Sequence, residues 1–345
     1  MDFDSFCMSS FLTFRYVVSK DAAWTPGFAP AWPETSSADP IGVSHAAELL
    51  DALRHLVSQV SRRNKLGIFL SGGIDSALLA ALLPEGTPAY TIRFAAEGAI
   101  DESPMAAVYA QRCGLPHRII TVTWEDYEQT MDALMRHKRS PLHPVEVGLF
   151  RAAAAAARDG LRTIMIGNGA DSTFGGMDQL LARDWTTDEF VQRYTFVDPA
   201  SAIKQPVSMR PVYDAYGGAQ QFDVRGFLKE VHGRGIVQAF DNAIRAAGCQ
   251  SVEPYESLIL TAPLDLARIR RGESKYLLRE LFRQFYPDLE IPAKIPFARP
   301  MDQWLKSWTG PQRREFVEAS GWPSYSGEQK WLLYSLERFM NLMNN

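Results

Sequence analysis

Residues 67–83 read GIFLSGGIDSALLAALL, a short apolar run, a turn of one serine and two glycines, and a second apolar run that opens on an aspartate. The first run predicts a buried strand and the second a helix, so the polar turn lies between a strand end and a helix start. There the backbone N–H groups and the hydroxyls of Ser71 and Ser76 point outward at the positive end of the helix. Gly72 and Gly73 have no Cβ to keep an anion away. Such a turn suits phosphate. It has neither the lysine of a GxxxxGKS/T loop nor the spacing of GxGxxG, which excludes the two commonest nucleotide loops. Asp75 would repel bound phosphates unless a divalent cation lay between them, which points to Mg2+ shared by the aspartate and a pyrophosphate. The competing reading is a plain Gly-Gly turn in which the aspartate caps the helix.

A second stretch repeats the pattern. Residues 161–176, LRTIMIGNGADSTFGG, again run from an apolar strand into a glycine-rich turn holding one acid, Asp171. Ligands on a parallel sheet gather at the carboxyl ends of its strands, so Asp75 and Asp171 are expected to face one Mg2+.

Working outward, AYTIRF (89–94) and HRIITVT (117–123) supply two more runs that read as fully buried strands. Helical stretches separate the four, giving the βαβ alternation of a parallel twisted sheet flanked by helices. The α/β core is expected over 46–200, opening with the amphipathic AAELLDALRHLVSQVSRR. Residues 1–45 are expected as an extension packed on that core, and 201–345 as a mainly helical lobe. The six alanines at 152–157 read as good helix formers.

The chain has 345 residues, 46% hydrophobic and 22% charged, with a formal net charge of -4. That balance offers no general field for nucleic acid. Cys7, Cys113 and Cys249 form no CxxC pair, the start MDFDSF is acidic where a signal peptide is basic, and no apolar run nears ~18 residues. The expectation is a cytoplasmic protein without membrane or nucleic-acid partners. Self-association into a homo-oligomer is left open.

These segments together carry a resemblance. SGGIDS (71–76) resembles the pyrophosphate loop of the N-type ATP pyrophosphatases, and GNGADSTFGG (167–176) resembles the GEGADELFGG-type segment of the asparagine synthetase family's synthetase domain. PLDLARI (263–269), ESKYLLRELF (273–282) and AKIPFARPMDQWL (293–305) are similar, in order, to that family's later segments, including its K-x-x-F-x-x-P stretch. FLTFRYV (11–17) resembles the start of the domain.

The resemblance implies a fold of the adenine nucleotide alpha hydrolase type and a two-step amide synthesis. A small-molecule carboxylate attacks the α-phosphorus of ATP to give an acyl-adenylate and pyrophosphate, and ammonia or an amine then displaces AMP. It implies that Ser71, Gly72, Gly73, Asp75, Ser76 and Gly167 hold ATP, that Leu70 and Ile92 contact adenine through their backbones, and that Asp75 and Asp171 bind Mg2+. Lys294 would neutralise charge at the α-phosphate, and Lys275 would add charge for pyrophosphate. Lys275 with Arg279 is also the spacing of a solvated helix face.

Two departures matter. Asp2 stands where the family's complete enzymes carry a cysteine nucleophile, so a unit without its own glutaminase is expected, fed by free ammonia, an amine or a separate ammonia-supplying protein. Asn168 takes the place of a glutamate expected to remove a proton from the attacking nitrogen, and an amide does not titrate near neutrality. Other chemistries on the same loop, such as sulfur transfer to tRNA or a small molecule, and a non-catalytic nucleotide-binding subunit, remain as alternatives. Glu146 in PLHPVEV and Arg299 are candidates for the acyl pocket, against a loop hinge and a surface ion pair. The six histidines form no metal spacing and receive no role.

Overall fold

A computed structural model describes residues 2–33, 39–218, 221–294, 297, 299–318 and 321–344. Strands β1 (Ile41–Val43), β2 (Leu66–Phe69), β3 (Ala89–Phe94), β4 (His117–Val122), β5 (Thr163–Met165), β6 (Gln250–Val252) and β7 (Leu258–Leu260) form two sheets. The larger has five strands in the order β4-β3-β2-β5-β6, and the smaller pairs β1 with β7. Every pairing is parallel.

The order fixes where a ligand can go. From β2 the chain winds outward through β3 to β4, then returns to lay β5 on the other side of β2. The turns leaving β2 and β5 therefore diverge over adjacent strand ends and open a crevice. These are the two glycine-rich turns of the sequence.

Helices cover both faces. α1 (Ser5–Phe14) is followed by α2 (Ala46–Arg63), whose Leu49, Leu53 and Val57 recur every fourth residue and are buried. Each such side chain removed from water is worth about 1.5–3 kcal/mol. Glu48 in its first turn and Arg62 and Arg63 in its last complement the helix dipole. α3 (Ile74–Leu82) and α4 (Ser103–Arg112) pack with α2 on one face. α5 (Trp124–Lys138) starts at a capping box between Thr123 and Asp126.

α6 (Glu146–Arg158) and the helix Arg234–Ala246 cover the other face, against Phe69, Tyr90, Ile164 and Ile166. Ala152, Ala153, Ala155 and Ala156 of α6 are fully buried in that contact. The alanines thus do more than favour helix, because small side chains let two helices and the sheet approach closely.

β4 departs from the expectation of a fully buried strand. It is a sheet edge with Arg118, Ile119 and Thr121 exposed, because no further strand follows it outward. β6 and β7 were not anticipated from sequence. They arise beyond residue 201, where the helical reading prevailed, and each is only three residues long. No helix among the described residues is long and apolar enough to cross a membrane.

Candidate active site

α3 begins at Gly73, which makes no side-chain cap bond. Asp75 lies inside the first turn, so it is not the helix cap that the plainer reading of this turn required. The loop is closed by its own hydroxyls: Ser76 Oγ accepts from Ser71 N at 3.0 Å and lies 3.0 Å from Ser71 Oγ, which accepts from Gly73 N at 3.2 Å. Gly72 and Gly167 are needed for close packing. A Cβ at Gly72 would come 3.2 Å from that of Glu102, and one at Gly167 would come 3.2 Å from that of Asp75. The β2 and β5 turns are therefore in van der Waals contact.

The two acids converge on a lysine. Lys275 Nζ is 2.5 Å from Asp75 Oδ2 and 2.7 Å from Asp171 Oδ1. Lys294 Nζ is 2.9 Å from the same Asp171 oxygen and also donates to the Gly176 carbonyl. Lys275 is not on a solvated helix face. It is buried, at φ 52°, as the residue that caps the helix Tyr276–Phe285. A non-glycine residue in this left-handed region is uncommon.

Burial raises the proton affinity of both acids, but the two ammonium groups outweigh it at Asp171 and hold it at about 2. At Asp75 burial dominates and moves its pKa up, with Lys275 opposing and Asp171 adding to the rise. Lys275, despite burial, stays charged because both carboxylates face it. Asp75 Oδ1 is buried and has no hydrogen-bond partner. Such an atom is costly unless a cation or donor reaches it.

Above these turns lies a cavity of about 880 Å3, lined by Leu70, Ser71, Asp75, Ser76, Ile92, Gly167, Asn168, Asp171 and Lys294 among others. Gly72, Gly73 and Lys275 are not among its lining residues. Leu70 N donates to Tyr90 O at 2.9 Å, and its carbonyl accepts from Thr91 Oγ1 at 2.6 Å, so its second lone pair is the backbone group left for a ligand.

The wall also holds residues that the sequence reading passed over. Arg15 is the lone charge in the apolar FLTFRYV; its guanidinium stacks 3.9 Å from the Phe196 ring centroid, and its Nε is buried without a partner. His143 is buried and His232 half-buried there, and desolvation lowers the pKa of both, with Arg15 the next cause for each. His232 is pushed down to about 3, and its Nδ1 sits 2.7 Å from the Tyr194 hydroxyl. Arg299 lines the cavity and pairs with Glu328 at 2.9 Å.

Glu146 does not reach the cavity. It is fully buried behind it, accepting from Lys138 Nζ at 2.5 Å, His143 N at 2.6 Å and Asn242 Nδ2 at 2.5 Å, which makes it a support for the PLHP turn. Only the single charge in an apolar run could have flagged Arg15, and no local pattern marks the two histidines.

The asparagine synthase family model matches residues 48–240, which include both turns and the strands that carry them. The chain belongs to the asparagine synthase family. A protein of Mycobacterium tuberculosis named "Putative asparagine synthetase (glutamine-hydrolyzing)" is 30% identical over 159 residues, 44% of this chain and 23% of that protein. "Amidase chry2" of Gibberella zeae is 27% identical over 135 residues, 34% of this chain and 20% of that one. This asparagine synthase family member thus aligns with about a quarter or less of the length of these curated relatives. Among solved structures, the U34-tRNA thiolase NcsA from Methanococcus maripaludis with its [4Fe-4S] cluster aligns over 72% of this chain and 82% of that chain. The identity is 15% and the TM-score 0.28, too distant a likeness to bear on chemistry.

Proposed function

We propose that this chain activates a small-molecule carboxylate with ATP as an acyl-adenylate and passes the acyl group to ammonia or an amine, releasing AMP and pyrophosphate. The observation that carries the reading is the meeting of Asp75 and Asp171, from turns after neighbouring strands, at one lysine Nζ. Two carboxylates and two ammonium groups at the mouth of a phosphate-sized turn match the charge pattern of a metal-bound triphosphate tail.

In this reading adenine lies against Leu70 and Ile92, and the β- and γ-phosphates lie along Ser71–Ser76 and Gly167. Asp75 and Asp171 would hold Mg2+. The orphaned Asp75 Oδ1 fits that assignment, and the ion would neutralise the departing pyrophosphate. Lys275 and Lys294 exchange their carboxylate contacts for phosphate oxygens as ATP arrives, so positive charge already stands where negative charge develops. Lys294, on the cavity wall, serves the α-phosphate; Lys275 serves the pyrophosphate. The nitrogen donor is ammonia or an amine, free or delivered by a separate protein, and the reaction is assigned to the cytoplasm.

The test is isotope exchange between pyrophosphate and ATP across a panel of carboxylic acids that includes aspartate. An adenylating enzyme returns labelled pyrophosphate to ATP when given its acid. A protein that exchanges with none of them, yet binds ATP, is a nucleotide-binding subunit instead.

A further inference from the structure

Asn168 leaves the second half-reaction without the base that the surrounding motif leads one to expect, but the same place in the fold holds two acids. Asn168 Nδ2 donates to Glu253 Oε2 at 2.7 Å and to Glu256 Oε1 at 3.3 Å. Both come from the turn that joins β6 to β7, 85 and 88 residues further along the chain. That turn is pinned to the pyrophosphate loop, because Tyr255 donates its hydroxyl to the Asp75 carbonyl at 3.0 Å.

Gly169, at φ 91°, completes the arrangement. A Cβ there would stand 2.8 Å from Glu256 Oε1 and 2.9 Å from Glu256 N, so only glycine lets the acid approach the β5 turn. Glutamate at 168 would bring three carboxylates within hydrogen-bonding distance of one another, and an amide donates where that carboxylate would repel.

We infer that Glu256 is the general base of the amide-forming step, having taken over from another strand the proton-accepting task that residue 168 cannot perform. Asn168 and Glu253 are positioning residues. This rests on the adenylation reading above.

Of the other acids on the cavity wall, Asp75 and Asp171 face the lysines and Glu328 pairs with Arg299. Asp178 accepts from the neighbouring Gln179 N, and Glu102 packs beside Gly72 of the pyrophosphate loop; Asn168 donates to Glu253 and Glu256 and to neither of these. Glu256 faces the cavity with no ion pair among the described residues. His143, almost wholly buried, is another lining residue of the cavity, and its Nε2 has no hydrogen-bond partner.

In the step, the nitrogen lone pair of ammonia or a primary amine forms the C–N bond at the acyl carbon. The bond from that carbon to the phosphate oxygen breaks and its electron pair leaves on AMP. The surplus nitrogen proton passes to the Glu256 carboxylate. Glu256 keeps an exposed side chain, and partial desolvation and then the nearby charge of Glu253 lift it to about 7, with Lys229 opposing. Glu253 is itself raised by burial, moderated by the Asn168 bond.

The experiment compares wild type with Glu256→Gln, which keeps the shape and the acceptor oxygen for Asn168. Pyrophosphate exchange is measured with aspartate and the acid panel, and amide formation with ammonium chloride and with hydroxylamine. Glu256→Gln should keep exchange within about threefold and lose amide formation from ammonium by about 10²-fold or more. Hydroxylamine should suffer far less, because its protonated adduct sheds the proton more readily. Glu256→Asp should restore part of the loss. The wild-type amide-forming rate should rise with pH through a group near 7 that Glu256→Gln lacks.

Exchange with unimpaired amide formation in Glu256→Gln overturns the inference and leaves adenylation standing. Equal loss of both activities assigns Glu256 a structural role and also overturns it. A wild type that exchanges with no acid removes the adenylation reading and this one with it.

Discussion

The ammonium nitrogen of Lys275 lies 2.5 Å from Asp75 Oδ2, joining a residue near the end of the chain to one in its first third. The lysine reaches this point from a left-handed backbone, which its ion pairs with Asp75 and Asp171 over-determine.

Asp75→Asn and Asp171→Asn should each abolish pyrophosphate exchange while the far-ultraviolet circular dichroism stays native. Each removes a negative charge from the position assigned to Mg2+. Exchange surviving in either variant would take that carboxylate out of the metal site.

Gly176→Ala should disable the same cluster without touching a charge. Its Cβ would lie 1.9 Å from Asp171 Oδ1 and 2.2 Å from Lys275 Cε, so both side chains must move. Pyrophosphate exchange should fall by about 10²-fold, the scale seen when a small misplacement disturbs a preorganised site. An alanine variant with normal exchange would show that the cluster tolerates displacement.

Asn168→Ala should leave adenylation largely intact, because the amide contacts Glu253 and Glu256 and not the glycine-rich turn after β2. Complete loss of exchange in this variant would assign Asn168 to the first step.

The buried pair Lys138–Glu146, with side chains 1% and 0% exposed, should behave as a structural unit. Glu146→Ala leaves an uncompensated buried ammonium and should cost about 3–5 kcal/mol in urea unfolding, whereas Lys138→Met with Glu146→Leu should cost much less. Additive losses in the double variant would contradict this account.

Stability should fall as pH drops below the histidine range. His232 is half-buried and desolvation pushes it down, to a folded pKa of about 3 against 6.5 for the free side chain. The unfolded chain therefore binds the proton first. Stability present above about pH 6.5 is lost as pH falls towards the folded value, at up to roughly 1.4 kcal/mol per pH unit. His232→Asn should make the curve of unfolding free energy against pH flatter between pH 6 and 4, and an unchanged slope would show that other groups carry the dependence.

Much of the architecture was legible because it depends on local pattern. Four apolar runs separated by helical stretches are enough to specify a parallel sheet, and two glycine-rich turns after two of them mark a crevice. β6 and β7 escaped because three residues each give no periodicity, and the edge position of β4 escaped because burial on both faces depends on neighbours that no single strand encodes. Arg15, His143, His232 and Glu256 reach the cavity from separate parts of the chain, so nothing in their spacing joins them.

By itself the sequence determined the βαβ core, the glycine-rich turn at residues 71–76 and the convergence of Asp75 with Asp171, since strand ends and helix starts follow from hydrophobic period and glycine placement. Only the tertiary structure decided that Lys275 is buried between those acids, that Glu146 supports a turn behind the cavity, and that Glu253 and Glu256 stand against Asn168. Apart from Glu146's local bonds to Lys138 and His143, these are contacts across 85 to 200 residues of chain, and they exist only once the core has closed and brought distant backbone turns within hydrogen-bonding reach.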